Sequence, residues 1–138
     1  MSGPAVAYVD TEALLHVALP RLVTGTAPRV GTTTPADPTN TYAWALNGFV
    51  KVQRIGGGGR FGVDHPRVFV ESFGPTYPTA RDLAERVRVA FESGLIGYHG
   101  ADGSVLDVVT NSAPTWAPYT DTHLTRFIAT YQLVTQAG

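Results

Sequence analysis

Three glycines, Gly57, Gly59 and Gly62, have the G-x-G-x-x-G spacing that cradles a pyrophosphate when a helix N-terminus follows. Here Val63-Asp64-His65-Pro66 leads into a strand-like run instead, so no helix dipole meets a phosphate. No G-K-[ST] completes a P-loop. The four histidines are His16, His65, His99 and His123, and metal ligands could come from Asp64-His65 or from Asp121 with His123. Neither grouping has the helix spacing of a zinc-protease motif or an obvious third ligand, and turn chemistry accounts for them better. Ser72, Ser93, Ser104 and Ser112 all lie outside any G-x-S-x-G pattern. Asp102 with Asp107, and Asp64 with Glu71, are carboxylate pairs by sequence proximity alone. With no cysteine there is no thiolate nucleophile, thiolate metal site or disulfide. The sequence therefore assigns no catalytic, metal-binding or cofactor-binding residue, implies no cofactor, and predicts a protein that is not an enzyme.

The 138 residues are one domain's worth, spanning 1–138 without a linker or repeat. A net charge of −1 argues against tight nucleic-acid binding, which calls for a basic excess, but leaves room for a local basic patch. Met1–Ala7 shows no basic region and no apolar core of a secretion signal. No apolar run approaches the roughly 18 residues of a membrane span, so no membrane partner is expected.

The elements follow from periodicity. A helix is predicted from Thr11 to about Val23, capped by Asp10 and stapled by Val9 with Leu14, with Leu14, Val17, Ala18 and Leu22 inward. Pro20 should kink or end it. Residues 25–41 read as turns with one short strand near Arg29–Thr33, and Tyr42–Leu46 as either a short strand or an irregular loop. Phe49–Ile55 and Arg67–Phe73 alternate as strands. Thr79-Ala80-Arg81-Asp82 resembles a capping box opening a helix with Leu83, Val87, Ala90 and Phe91 inward, and Gly94 is its expected stop. Val105–Val109 is a strand that Trp116–Tyr119 could extend beyond Pro114. Arg126–Val134 is apolar on both faces, which predicts a central strand. The fold class is α+β: a mostly antiparallel sheet of four to five strands with two helices packed on it.

Between the first two long strands lie Gly56, Gly57, Gly58 and Gly59, followed by Arg60 and Phe61. Ordering four glycines costs backbone entropy, so Gly56–Asp64 is expected to be disordered in a free subunit and ordered against a partner. Lys51, Arg54, Arg60 and Arg67 flank this loop. They could be a solvated strand edge, line a channel carrying DNA, or pair with carboxylates of an adjacent subunit.

This succession resembles the tail-terminator (tail-completion, minor tail protein U-like) family of long-tailed bacteriophages. The likeness runs over nearly the whole chain: the N-terminal helix, Phe49–Arg54, the arginine-then-glycines junction Arg54-Ile55-Gly56-Gly57, Arg67–Phe73, and the helix Ala80–Ser93. It ends with Trp116-Ala117-Pro118-Tyr119-Thr120-Asp121 and Arg126–Leu133. The long Val30–Phe49 loop, with Tyr42 and Trp44, departs from the pattern. The resemblance implies a homo-oligomeric, hexameric ring that caps the tail tube, ends its polymerisation and joins the head-tail connector or stopper protein. Genomic DNA would pass through the lumen without sequence-specific binding. It also implies a virion protein of the head-tail junction, made in the host bacterial cytoplasm. On this reading Lys51, Arg54, Gly56, Gly57, Gly58, Gly59, Arg60, Phe61 and Arg67 form a subunit or tail-partner interface, or line the channel. A head-side connector or stopper protein and a small nucleic-acid-binding module are the alternatives.

Overall fold

The computed structural model describes residues 8–137, so the reading of Met1–Ala7 lies outside the described residues. Asp10 starts the first helix, α1 (Thr11–Leu22), by accepting a hydrogen bond from Ala13 N at 3.1 Å. Val9 and Leu14, at the two staple positions, are buried in one core cluster. The buried face is Thr11, Leu14, Leu15, Ala18 and Leu19. Val17 and Leu22 flank this stripe, a phase shift from the expected one. Pro20 sits inside the last turn without breaking it, because the helix ends two residues later with Val23 N donating to Leu19 O at 2.9 Å.

The strands are β1 (Arg29–Gly31), β2 (Phe49–Gly56), β3 (Gly59–Arg60), β4 (Val63–Asp64), β5 (Arg67–Gly74), β6 (His99–Gly100), β7 (Gly103–Ala117) and β8 (Thr125–Gln136). They form one eight-stranded sheet with the path β1-β2-β5-β8-β4-β3, and β7 pairs β8 on its other edge. This corrects the expected four or five mostly antiparallel strands: the sheet is larger, and β1 runs parallel to β2. β1 is the short strand expected near Arg29–Thr33; the added strands β3, β4 and β6 are two residues each, too brief to show a period in sequence. β8 is central, paired with β5 and β4 on one edge and β7 on the other.

The second helix, α2 (Tyr77–Val89), is capped by Thr76, whose side chain accepts from Thr79 N while Thr79 reciprocates. The box is therefore one turn earlier than expected, with Thr79 closing it rather than opening it. Beyond α2 the chain widens into a π-turn over Ala90–Gly94, marked by Leu95 N donating to Ala90 O at 2.7 Å. Gly94 thus ends a π-turn; the left-handed residue that turns the chain away is Gly97, at φ 85°.

Both helices cover one sheet face. Leu83, Val87, Ala90 and Phe91 meet Val50, Val52, Val68, Val70, Tyr131 and Leu133 in the main core. On the other face the long 31–48 connection supplies a second cluster. Its residues Ala43–Ala45 form a 3₁₀ turn, which settles the ambiguous Tyr42–Leu46 segment as non-strand. Trp44 packs edge-on to Phe49 and Phe73, and Tyr119 closes on Phe73 at 4.9 Å. The long connection is thus a plug over one end of the helix-free face. The rest of that face, including Gln53, Phe69, Ile128, Thr130, Gln132 and Val134, is half-buried. Among the described residues no helix is long and apolar enough to cross a membrane.

Phe91 is fully buried and stacks on Tyr131 at 4.1 Å with ring planes 7° apart. Phe91→Ala is expected to cost about 3–5 kcal/mol. Urea unfolding should read this as a lower midpoint at unchanged m-value.

Candidate functional site

The glycine segment is not a loose loop. β2 and β5 are joined through a short hairpin arm, with β3 and β4 paired Gly59↔Asp64 and Arg60↔Val63, a two-residue turn at Phe61-Gly62, and β4 held to the end of β8 by Val63↔Gln136 and Asp64↔Thr135. The ladder between β2 and β5 slips between Arg54 and Gly56, where the arm begins. The segment Gly56–Asp64 is not irregular chain: Gly59–Arg60 and Val63–Asp64 are paired within the one chain.

Three features hold it. Arg54 forms a forked ion pair with Asp64, Nη2 donating to Oδ1 at 3.0 Å and Nη1 to Oδ2. Arg54 Nε also donates to Gly56 O at 3.1 Å, and its backbone N donates to Glu12 at 3.2 Å, tying the arm to α1. Gly57 has φ +90° and lies so close to the other limb that an added Cβ would overlap the His65 carbonyl oxygen. His65 N in turn donates to Gly58 O at 3.1 Å and to Asp64 Oδ1 at 2.9 Å. Asp64 is buried, 2 % exposed, and the Arg54 guanidinium holds its carboxyl below the usual aspartate range against the opposing effect of burial.

The basic residues separate into two groups. Arg54 is neutralised by Asp64, and Lys51 lies 3.5 Å from buried Glu71. Glu71 also receives Arg126 Nη1 at 3.0 Å, so one carboxylate joins β2, β5 and β8 on the helix-free face. Arg60 and Arg67 are exposed and form no salt bridge among the described residues. Phe61 at the tip is 79 % exposed, with the Arg60 guanidinium 4.7 Å from its ring centroid. The partner carboxylates Asp64 and Glu71 were not singled out from sequence as partners of these bases. Opposite charges on two adjoining hairpin strands were the available signal, and they became a pairing only once the register set Lys51 opposite Glu71.

The other candidates resolve differently. Asp121 and His123 do meet, Oδ1 to Nδ1 at 3.0 Å, and Tyr42 stacks on His123 at 5.0 Å. Among the described residues no three His, Asp or Glu side chains are placed to hold a metal ion. Tyr131 and Tyr119 are core members, and Trp116 is half exposed on β7. The outer edge of β7 beyond Ser104 is unpaired among the described residues, but register slips and Pro114 interrupt it, which blunts it as a template for another strand.

No protein-family model matches the chain, and no curated protein matches it. Among solved structures, a chain from the virion of a native gene transfer agent particle has the same fold. The TM-score is 0.53 at 12 % identity, over 91 % of this chain and 90 % of that one.

Two outcomes are expected of the arm. Gly57→Ala should destabilise by more than about 1 kcal/mol, whereas Gly58→Ala, which meets open space, should be neutral or stabilise by up to about 1 kcal/mol. Thermal unfolding of the two variants checks the contrast. Because the folded pKa of Asp64 is depressed, its contribution is complete above the unfolded value of about 3.9 and is lost as pH falls through the folded value. Denaturant titrations from pH 6 downward should show wild type losing a component of stability below about pH 4 that Asp64→Asn never has.

Proposed function

We propose that this chain is the subunit of a ring that ends a virion tail tube, a tail terminator. The observation that carries the reading is the whole-length likeness in fold to a virion chain. The order of helix, arginine-glycine junction, hairpin, helix and closing strand, which resembles the terminator family, narrows it from virion protein to this role. The protein is then structural rather than enzymatic, with copies of itself, the tail tube protein and the head-side connector as partners and DNA in the lumen. In this reading Lys51, Arg54 and Gly56–Gly59 fix the arm, and Arg60, Phe61 and Arg67 are its contact residues. Surfaces that differ on the two sides of a subunit give head-to-tail contacts, which make a ring when the rotation closes and a filament when it does not.

Imaging of assembled particles tests the reading. The expected result is a six-membered ring of this chain at the head-proximal end of the tube, and tubes of excess length in particles lacking it. Binding to the connector but not to the tube would make the chain a head-side stopper instead. A strictly monomeric chain in complete particles would refute the ring.

A further inference from the structure

Phe61 is in conflict with its position. It occupies the first central place of a two-residue turn in which it and Gly62 both have positive φ, 54° and 80°. Type I′ turns of this kind favour Asn, Asp or Gly there, and a left-handed residue with a Cβ costs roughly 1–2 kcal/mol. The ring is also left in water, 79 % exposed. Neither backbone nor solvent favours phenylalanine at the tip, and no core contact compensates. Beside it, Arg60 is a cation without a carboxylate partner among the described residues.

A complementary surface exists on the same chain. Between α1 and β1, the outer edge of the sheet, lies a cleft of about 720 Å³. Val17 and Val30 contribute apolar wall, and Asp10, Glu12 and Asp102 contribute three carboxylates against the guanidinium of Arg29. Asp10 and Glu12 each accept a backbone N–H, and Asp102 has no ion-pair partner among the described residues. The volume is that of a pocket able to seat a compact group of side chains.

We infer that the arm tip of one copy, Phe61 with Arg60, seats in the α1–β1 cleft of a second copy. The charge complementarity selects the occupant: the exposed cations Arg60 and Arg67 belong to the arm, and the acidic excess belongs to the cleft. Knob and cleft are different patches, so the contact repeats head-to-tail. This inference rests on the ring reading and names its subunit contact. Phe61 is the buried anchor, and the Arg60–carboxylate pairs fix orientation.

The test measures self-association of the full chain by sedimentation across concentration. Phe61→Asn should weaken association by about 30-fold or more. Its thermal midpoint should stay at or above wild type, since asparagine tolerates the left-handed turn better. Arg60→Glu should weaken association about tenfold, and Asp102→Arg in the same chain should restore it. The absence of native cysteine permits direct capture: mixed Phe61→Cys and Thr33→Cys chains should form an intermolecular disulfide under mild oxidation. Phe61→Cys mixed with Val89→Cys, on exposed helix, should not. If wild type associates but Phe61→Asn associates as tightly and the Phe61→Cys and Thr33→Cys chains do not link, the contact is overturned and the ring reading stands. If wild type stays monomeric at every concentration and neither mixture links, the contact is overturned, and imaging of complete particles decides the ring reading separately.

Discussion

The structure depends on satisfying both edges of β8. An interior strand leaves rows of N–H and C=O groups that cannot face an apolar layer unpaired. β8 meets this with β7 along one side and with β5, then β4, along the other. The long β7 exists in this form because so long a central strand needs a partner of similar reach, and its own outer edge is interrupted by irregularities and Pro114. The buried side of β8 carries Phe127, Ala129, Tyr131 and Leu133, and α2 with its π-turn lies over them. α1 covers the sheet toward β1 and β2, completing the same core.

Electrostatics on the helix-free face follow the same logic of compensation. Glu71 is buried at the junction of three strands, and a buried carboxylate is tolerable only with cations in reach. Lys51 and Arg126 supply them from β2 and β8, and Arg126 also donates to Pro118 O at 2.8 Å and lies over the Tyr119 ring. A patch that counts as basic in the sequence is therefore internally balanced. The uncompensated positive charge of the hairpin is displaced outward, to Arg60 and Arg67.

Long periodic segments were legible in the sequence, and short or register-dependent ones were not. The α2 stripe of Leu83, Val87, Ala90 and Phe91 and the two-sided character of β8 both follow from side-chain spacing, and the structure places them as expected. The cap of α2 was displaced because Thr76 and Thr79 are alike and either could open the box. The α1 stripe was misphased because Leu14, Leu15, Leu19 and Leu22 offer two overlapping apolar faces, and tertiary packing chose between them. At the candidate site the glycines, Arg60 and Phe61 drew attention by composition alone. The internal pairing of Arg54 with Asp64 was hidden because it depends on a bulge and a close approach at Gly57. Four glycines in a row have the composition of a flexible linker; here the two limbs of the arm pack too closely at Gly57 for any side chain there.

The sheet's central strand comes later in the chain than every strand it joins. During synthesis β5 emerges with one edge unpaired, β7 with both edges open beyond its short pairing with β6, and β4 with β3 as its one neighbour. Nothing earlier in the sequence can fill the slot, so the nascent chain holds two half-sheets and an incomplete core until residues 125–136 clear the ribosome. Pairings of such wide sequence separation are slow to form, and open strand edges are prone to wrong partners in the meantime.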